Sequence, residues 1–154
     1  MIALLQRVTN AQVTVDGETI ANIGPGLVVL VGIERGDGAP QAERLLERLL
    51  SYRVFADSKG HMNRSLTDME GGLLLVPQFT LAADTRKGTR PSFTPAAPPA
   101  LGQQVFEYLL AQAKARYPRL AAGRFGAHMQ VSLTNDGPVT FTLRVPPEVQ
   151  TTTI

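Results

Sequence analysis

Two short segments place polar side chains beside residues of unusual backbone geometry: Pro77-Gln78-Phe79-Thr80-Leu81 and Asn135-Asp136-Gly137-Pro138-Val139-Thr140. Each follows an apolar stretch that reads as a strand, so each sits where a strand ends or bends. Gly and Pro shape the main chain there while Gln, Thr and Asn supply hydrogen-bonding groups, which suits a site built largely from backbone atoms. Thr80 can act as a nucleophile only with a base to activate it, and no histidine or lysine lies near it in sequence. Without a base it reads as a strand threonine bonded locally. The N–H groups around Phe79 and Thr80 then carry the better chemistry, because paired backbone donors can hold a carbonyl oxygen and stabilise its oxyanion. Gln78 either contacts substrate or supports the pocket. Gly137-Pro138, taken alone, reads as an ordinary β-turn, since only about 5–6% of X–Pro bonds are cis. Asn135 and Thr140 flank it and can fix its shape through side-chain hydrogen bonds. Arg7 stands in an otherwise apolar N-terminal stretch. It is either a surface cation or a planar fork bracing backbone carbonyls. Arg86, Lys87 and Arg90 cluster in a proline-rich loop, as a solvated face or as a contact for phosphates.

The elements that must position these residues follow from periodicity. Residues 2–15 read as a long strand, Asp16-Gly17 as a hairpin turn and residues 18–23 as the returning strand. Leu27 to Val31 is apolar at every position, as in a strand covered on both faces. From Pro40 to Tyr52, Leu45, Leu46, Leu49 and Leu50 make one helical stripe opposite charged residues. A second helix is expected from Pro99 to Tyr117, ended by Pro118. Residues 53–56, 72–76, 129–135 and 139–145 read as further strands, the last two around an Asp136-Gly137-Pro138 turn. Residues 82–99 form a loop long enough to suggest a function. The expectation is an α+β domain, mostly antiparallel, flanked by two helices, spanning residues 1–154 with a frayed tail from residue 146.

Composition narrows the function. The 154 residues are 44% hydrophobic and 18% charged, an ordinary balance for one globular domain. No apolar run approaches the ~20 residues of a membrane span, and the N-terminal stretch reads as a strand and not as a signal peptide. The absence of cysteine excludes disulfides and thiol chemistry and fits a cytoplasmic protein. His61 and His128 share no metal-ligand spacing, so neither a metal site nor an organic cofactor is indicated, and neither histidine is assigned to catalysis. A net charge of +2 permits a polyanionic partner. No aromatic platform for extended single-stranded RNA is apparent.

Together, PQFTL and NDGPVT resemble the paired motifs of the D-aminoacyl-tRNA deacylase family, usually written SQFTL and NxGPxT. The resemblance runs from Ile2 to about Val145 and includes Gln6-Arg7-Val8, Val13 to Gly17, Asp84 to Phe93 and Phe125-Gly126-Ala127. It departs at position 77, where Pro77 replaces the usual Ser and removes both a hydroxyl and a backbone donor. The resemblance implies a homodimeric β-sandwich or barrel-like fold flanked by helices. It implies hydrolysis of the ester joining a D-amino acid, or glycine, to the 3′-terminal ribose of tRNA, without metal or cofactor. Gln78, Phe79 and Thr80 would line the catalytic pocket. Gly137-Pro138, with a cis bond, would enter the partner subunit's pocket and exclude L-side chains, supported by Arg7, Asn135 and Thr140. Arg86, Lys87 and Arg90 would lie near the CCA end. The rival readings are a non-catalytic nucleic-acid-binding module on the same fold and a purely structural dimerisation domain.

Overall fold

The computed structural model describes residues 1–147. The expected frayed tail lies outside them from residue 148 onward.

Alternating burial holds the N-terminal stretch extended as β1, Ile2–Val15. Asp16 and Gly17 both take positive φ, 50° and 79°, as a type I′ turn requires. The chain returns as β2, Glu18–Ile23, and after Gly24-Pro25 continues as β3, Gly26–Gly32. Both pair antiparallel with β1, β3 along its first half and β2 along its second. Helix α1, Ala39–Ser51, buries Leu45, Leu46 and Leu49. A small hairpin follows, β4, Phe55–Ala56, with β5, Met62–Arg64. Next come a one-turn helix α2, Leu66–Met69, and β6, Gly72–Pro77. A 3-10 turn covers Phe79–Ala82. Beyond the long loop lie α3, Pro99–Arg116, then β7, Leu120–Ala122, and β8, Gln130–Arg144.

Three expectations need correction. The described residues hold three helices and a 3-10 turn, not two helices; α2 is too short to show a periodicity. The sheet is mixed. β6 runs parallel to both β3 and β7, because each connection crosses back over the sheet instead of reversing at a hairpin. Residues 130–144 are one strand and not two around a turn. Both halves pair with the free edge of β1, Gln130 to Thr134 against Thr14 to Asn10 and Thr140 to Arg144 against Gln6 to Ile2.

The sheet curls into a nearly closed, barrel-like form with two apolar layers. On one face, α1 and α3 pack over Leu5, Leu27, Val29, Leu73 and Leu75. On the other, Val8, Val13, Val28, Leu74 and Val76 meet one another across the curl. Thus β3 and β6 are covered on both sides, as their unbroken apolar runs require. Burying each such leucine stabilises the fold by about 1.5–3 kcal/mol. The double layer fixes the strand ends from which the candidate site grows.

Candidate active site

β6 ends because Pro77, paired with Val31, has no N–H to extend the ladder. The next donor, Gln78 N, bonds Val31 O at 2.8 Å, and the chain then tightens into the 3-10 turn. Thr80 is therefore not a strand threonine. Within the turn, the first internal bond runs from Leu81 N to Gln78 O at 3.2 Å. Residues 79 and 80 precede it, so their N–H groups lack acceptors inside the turn, and neither has a partner among the described residues. Gln78 N is committed to β3, so the free donors of the turn are those of Phe79 and Thr80. The Gln78 side-chain amide donates to Thr80 Oγ1, leaving that hydroxyl's own proton free to point elsewhere.

Beside this turn opens a cavity of about 450 Å³, lined among others by Gln78, Phe79, Ile33, Gly102 of α3, Phe125 and His128. Its walls come from four separate stretches, which is why no single motif announces it. His128, not assigned to catalysis from the sequence, is exposed and lines the cavity. His61 is elsewhere, in the β4–β5 turn, with its N–H on Asp57 Oδ1 at 2.9 Å.

The second motif forms a protrusion on β8. Asn135 pairs with Val8 and Thr140 with Gln6, so Asp136 to Val139 stand opposite Arg7 alone. The surplus residues must bulge outward. Asn135 closes the base of the bulge: its Nδ2 donates to Arg7 O at 3.0 Å and Val139 O at 3.1 Å, and its Oδ1 accepts from Thr140 Oγ1 at 3.1 Å. The Arg7 guanidinium lies beneath, with Nε 3.3 Å from both Asp136 O and Asp136 Oδ2, and Nη1 2.8 Å from Val54 O. At the apex the Gly137-Pro138 bond is cis and Gly137 has φ +122°, a region that L side chains rarely adopt. The Val54 carbonyl, which anchors the fork from the far side, carries no sequence signal.

None of Arg7, Asn135, Gly137 or Pro138 lines the cavity among the described residues. Three strand spacings, β8 to β1 to β3 to β6, and four residues along β1 separate the apex from Gln78. At standard sheet dimensions this is roughly 20 Å.

The third cluster occupies the loop after the turn. Asp84 and Ser92 close it with backbone bonds of 2.7 and 3.0 Å. Asp84 grips the Arg86 fork at 2.9 and 2.8 Å. The Arg86 guanidinium and its backbone N–H hold the Asp84 carboxyl well down, at about 2. Lys87 and Arg90 are exposed at the tip. No group of three or more His, Cys, Asp or Glu side chains suited to a metal occurs among the described residues. No helix among them is long and apolar enough to cross a membrane.

The chain is similar to several known proteins. A model of D-Tyr-tRNA(Tyr) deacylases matches residues 4–144. A D-aminoacyl-tRNA deacylase of Nitrosococcus oceani is 86% identical over 153 residues, covering 99% of each chain. Another, from Thioalkalivibrio sulfidiphilus, is 64% identical over 147 residues, 96% of this chain and 99% of that one. Among solved structures, the c-Myc DNA Unwinding Element Binding Protein superposes with a TM-score of 0.90 at 42% identity, covering 95% of this chain and 99% of that one. A probable eukaryotic D-amino acid tRNA deacylase shares the fold at 17% identity, with a TM-score of 0.76 and coverage of 92% and 97%. A family match spanning residues 4–144, with 86% identity to a relative over 99% of the chain, shows that this chain belongs to the D-Tyr-tRNA(Tyr) deacylase family.

Proposed function

We propose that the protein hydrolyses the ester between a D-amino acid, or glycine, and the 3′-terminal ribose of tRNA. The observation that carries this reading is the pair of unpartnered N–H groups at Phe79 and Thr80 beside a cavity large enough for a nucleoside. Water adds to the ester carbonyl and the two donors take the oxyanion. The tetrahedral intermediate collapses by breaking the bond to the ribose oxygen, which leaves with a proton. The site offers no activated nucleophile, and the substrate's own 2′-hydroxyl beside the ester is placed to relay that proton. The Gln78 amide aligns Thr80 without making it a nucleophile.

The protein acts as a homodimer, and Gly137-Pro138 serves the partner's cavity. That Gly137 and Pro138 do not line the cavity of their own chain among the described residues supports action across subunits. So does β8, whose outer side is exposed or half-buried over most of its length. An L-side chain meets the Gly-Pro carbonyls, whereas a D-side chain points away, so stereochemistry is enforced by exclusion and many D-residues are accepted. Arg7, Asn135 and Thr140 hold this wall in place. Lys87 and Arg90, with Arg86, attract the CCA-end phosphates. A charged-tRNA substrate fits a cytoplasmic location.

Incubation of purified protein with D- and L-aminoacyl-tRNA tests the reading: D-esters are cleaved and L-esters survive, and intact D-esters would refute it. The second reading is a nucleic-acid-binding module without catalysis. The loss of the Ser at position 77 favours it, as does the 42% identity to a protein named for binding a DNA unwinding element. RNA retention without deacylation would select it.

A further inference from the structure

Phe79 is 58% exposed and Phe93 is 41% exposed, although rings of this size are ordinarily buried. They lean on one another, with ring centroids 5.2 Å apart and planes 54° apart. In sequence the long loop separates them, so no platform is visible there. The folded loop brings them together and fixes Phe93. The Asp84–Ser92 bonds pin the backbone just before it, Ala96 N donates to Phe93 O at 3.0 Å, and Arg35 Nε donates to Thr94 O at 2.6 Å. Phe79 lines the cavity, so the pair forms a ledge continuous with its rim. The same loop carries Lys87 and Arg90, which make no ion pair among the described residues.

We propose that this ledge stacks an unpaired nucleobase of the tRNA 3′ end, immediately 5′ of the nucleotide whose ribose bears the ester. The inference rests on the deacylase reading and adds a subsite to it. A single strand leading into a cavity offers alternating π-faces and phosphates. An exposed aromatic pair next to unpaired cations complements both. Because the rings are tilted, one base lies flat on one ring and meets the other edge-on. Every base has a π-face, so the subsite adds affinity without reading sequence.

The experiment uses an RNA hairpin ending in CCA, with 2-aminopurine in place of the penultimate nucleotide. Binding to the wild-type protein quenches the probe. Phe93→Leu keeps an apolar contact on Phe79 but offers no π-face; it abolishes quenching and weakens binding about 5- to 150-fold. Phe93→Tyr restores both. Since the chain has no tryptophan, Phe93→Trp reports the same event from the protein side, which keeps the test valid if the leucine form misfolds. Equal affinity of the Leu and wild-type forms, or an unquenched probe, overturns the proposal. So does a change in oligomeric state of Phe93→Leu by sedimentation, which would assign the ledge to a subunit contact. Quenching without deacylation would instead refute the catalytic reading and leave the ledge standing.

Discussion

Thr80 shows how a side chain and its own backbone can divide a role. Replacing it with alanine removes the acceptor of the Gln78 amide but keeps the Thr80 N–H. One neutral hydrogen bond corresponds to about 0.5–1.5 kcal/mol, so Thr80→Ala should retain activity within about tenfold. Thr80→Pro deletes the N–H and should lower single-turnover rates by about a hundredfold or more. Equal losses in both variants, or an acyl group trapped on Thr80, would shift the chemistry to the hydroxyl. At Gly137, an added Cβ would sit 2.8 Å from Val139 Cγ2 and 3.1 Å from Arg7 Nη2 at a φ of +122°. Gly137→Ala should therefore cost about 1–3 kcal/mol in the bulge and impair cleavage of D-esters while circular dichroism stays native. A variant with full activity would show that the apex does not approach the substrate. Residue types mark both motifs in the sequence. The commitment of Gln78 N to Val31 O is not legible there, because it depends on a strand more than forty residues earlier in the chain.

Among the elements, the 84–92 loop combines an internal brace with a free tip. Asp84 stays ionised to unusually low pH because Arg86 grips it. Its folded pKa lies below the ordinary 3.8, so the brace contributes fully above pH 3.8 and is lost only as pH falls through about 2. A carboxyl NMR titration of Asp84 with a midpoint near 2 would verify this, and a midpoint at the ordinary carboxylate value would show a loose loop. Neutralising Arg86, Lys87 and Arg90 together should weaken tRNA binding and reduce the slope of log K against log salt by about 1.4–2.1 units. The smaller value applies if the Arg86–Asp84 pair already hides one charge. An unchanged slope would remove the loop from the interface. Periodicity makes β1, α1 and α3 legible, since each has a clear buried face, and the Asp16-Gly17 turn makes β2 legible. The 15-residue β8 reads as two strands in the sequence because Gly-Pro is ordinarily a turn signal. Only the register against β1 reveals a bulge instead. Short α2 leaves only its Ser65-to-Asp68 capping box as a signal, and β7 and the parallel pairs leave none, because their pairing partners are chosen by tertiary packing.

On the scale of the whole molecule, the proposed action across subunits predicts a composite site. Mixing Gly137→Ala with Thr80→Pro subunits should restore activity, because each heterodimer joins one intact turn to one intact bulge from the other chain. No recovery after subunit exchange, with heterodimers shown by native mass spectrometry, would place both parts in the same chain. The pairing of β1 with β8 also governs when a functional molecule can exist. β1 is synthesised well before β8, and one of its edges stays open until residues 130–144 emerge. At about 5–20 residues per second that is an interval of roughly 6–26 s. Throughout it an apolar edge strand waits for its partner, exposed to mispairing with neighbouring nascent chains. The Gly137-Pro138 bulge rides on β8, braced by Arg7 from β1. A ribosome-bound chain stalled before residue 130 would therefore already carry the residues of the Phe79–Thr80 turn without the bulge that β8 brings.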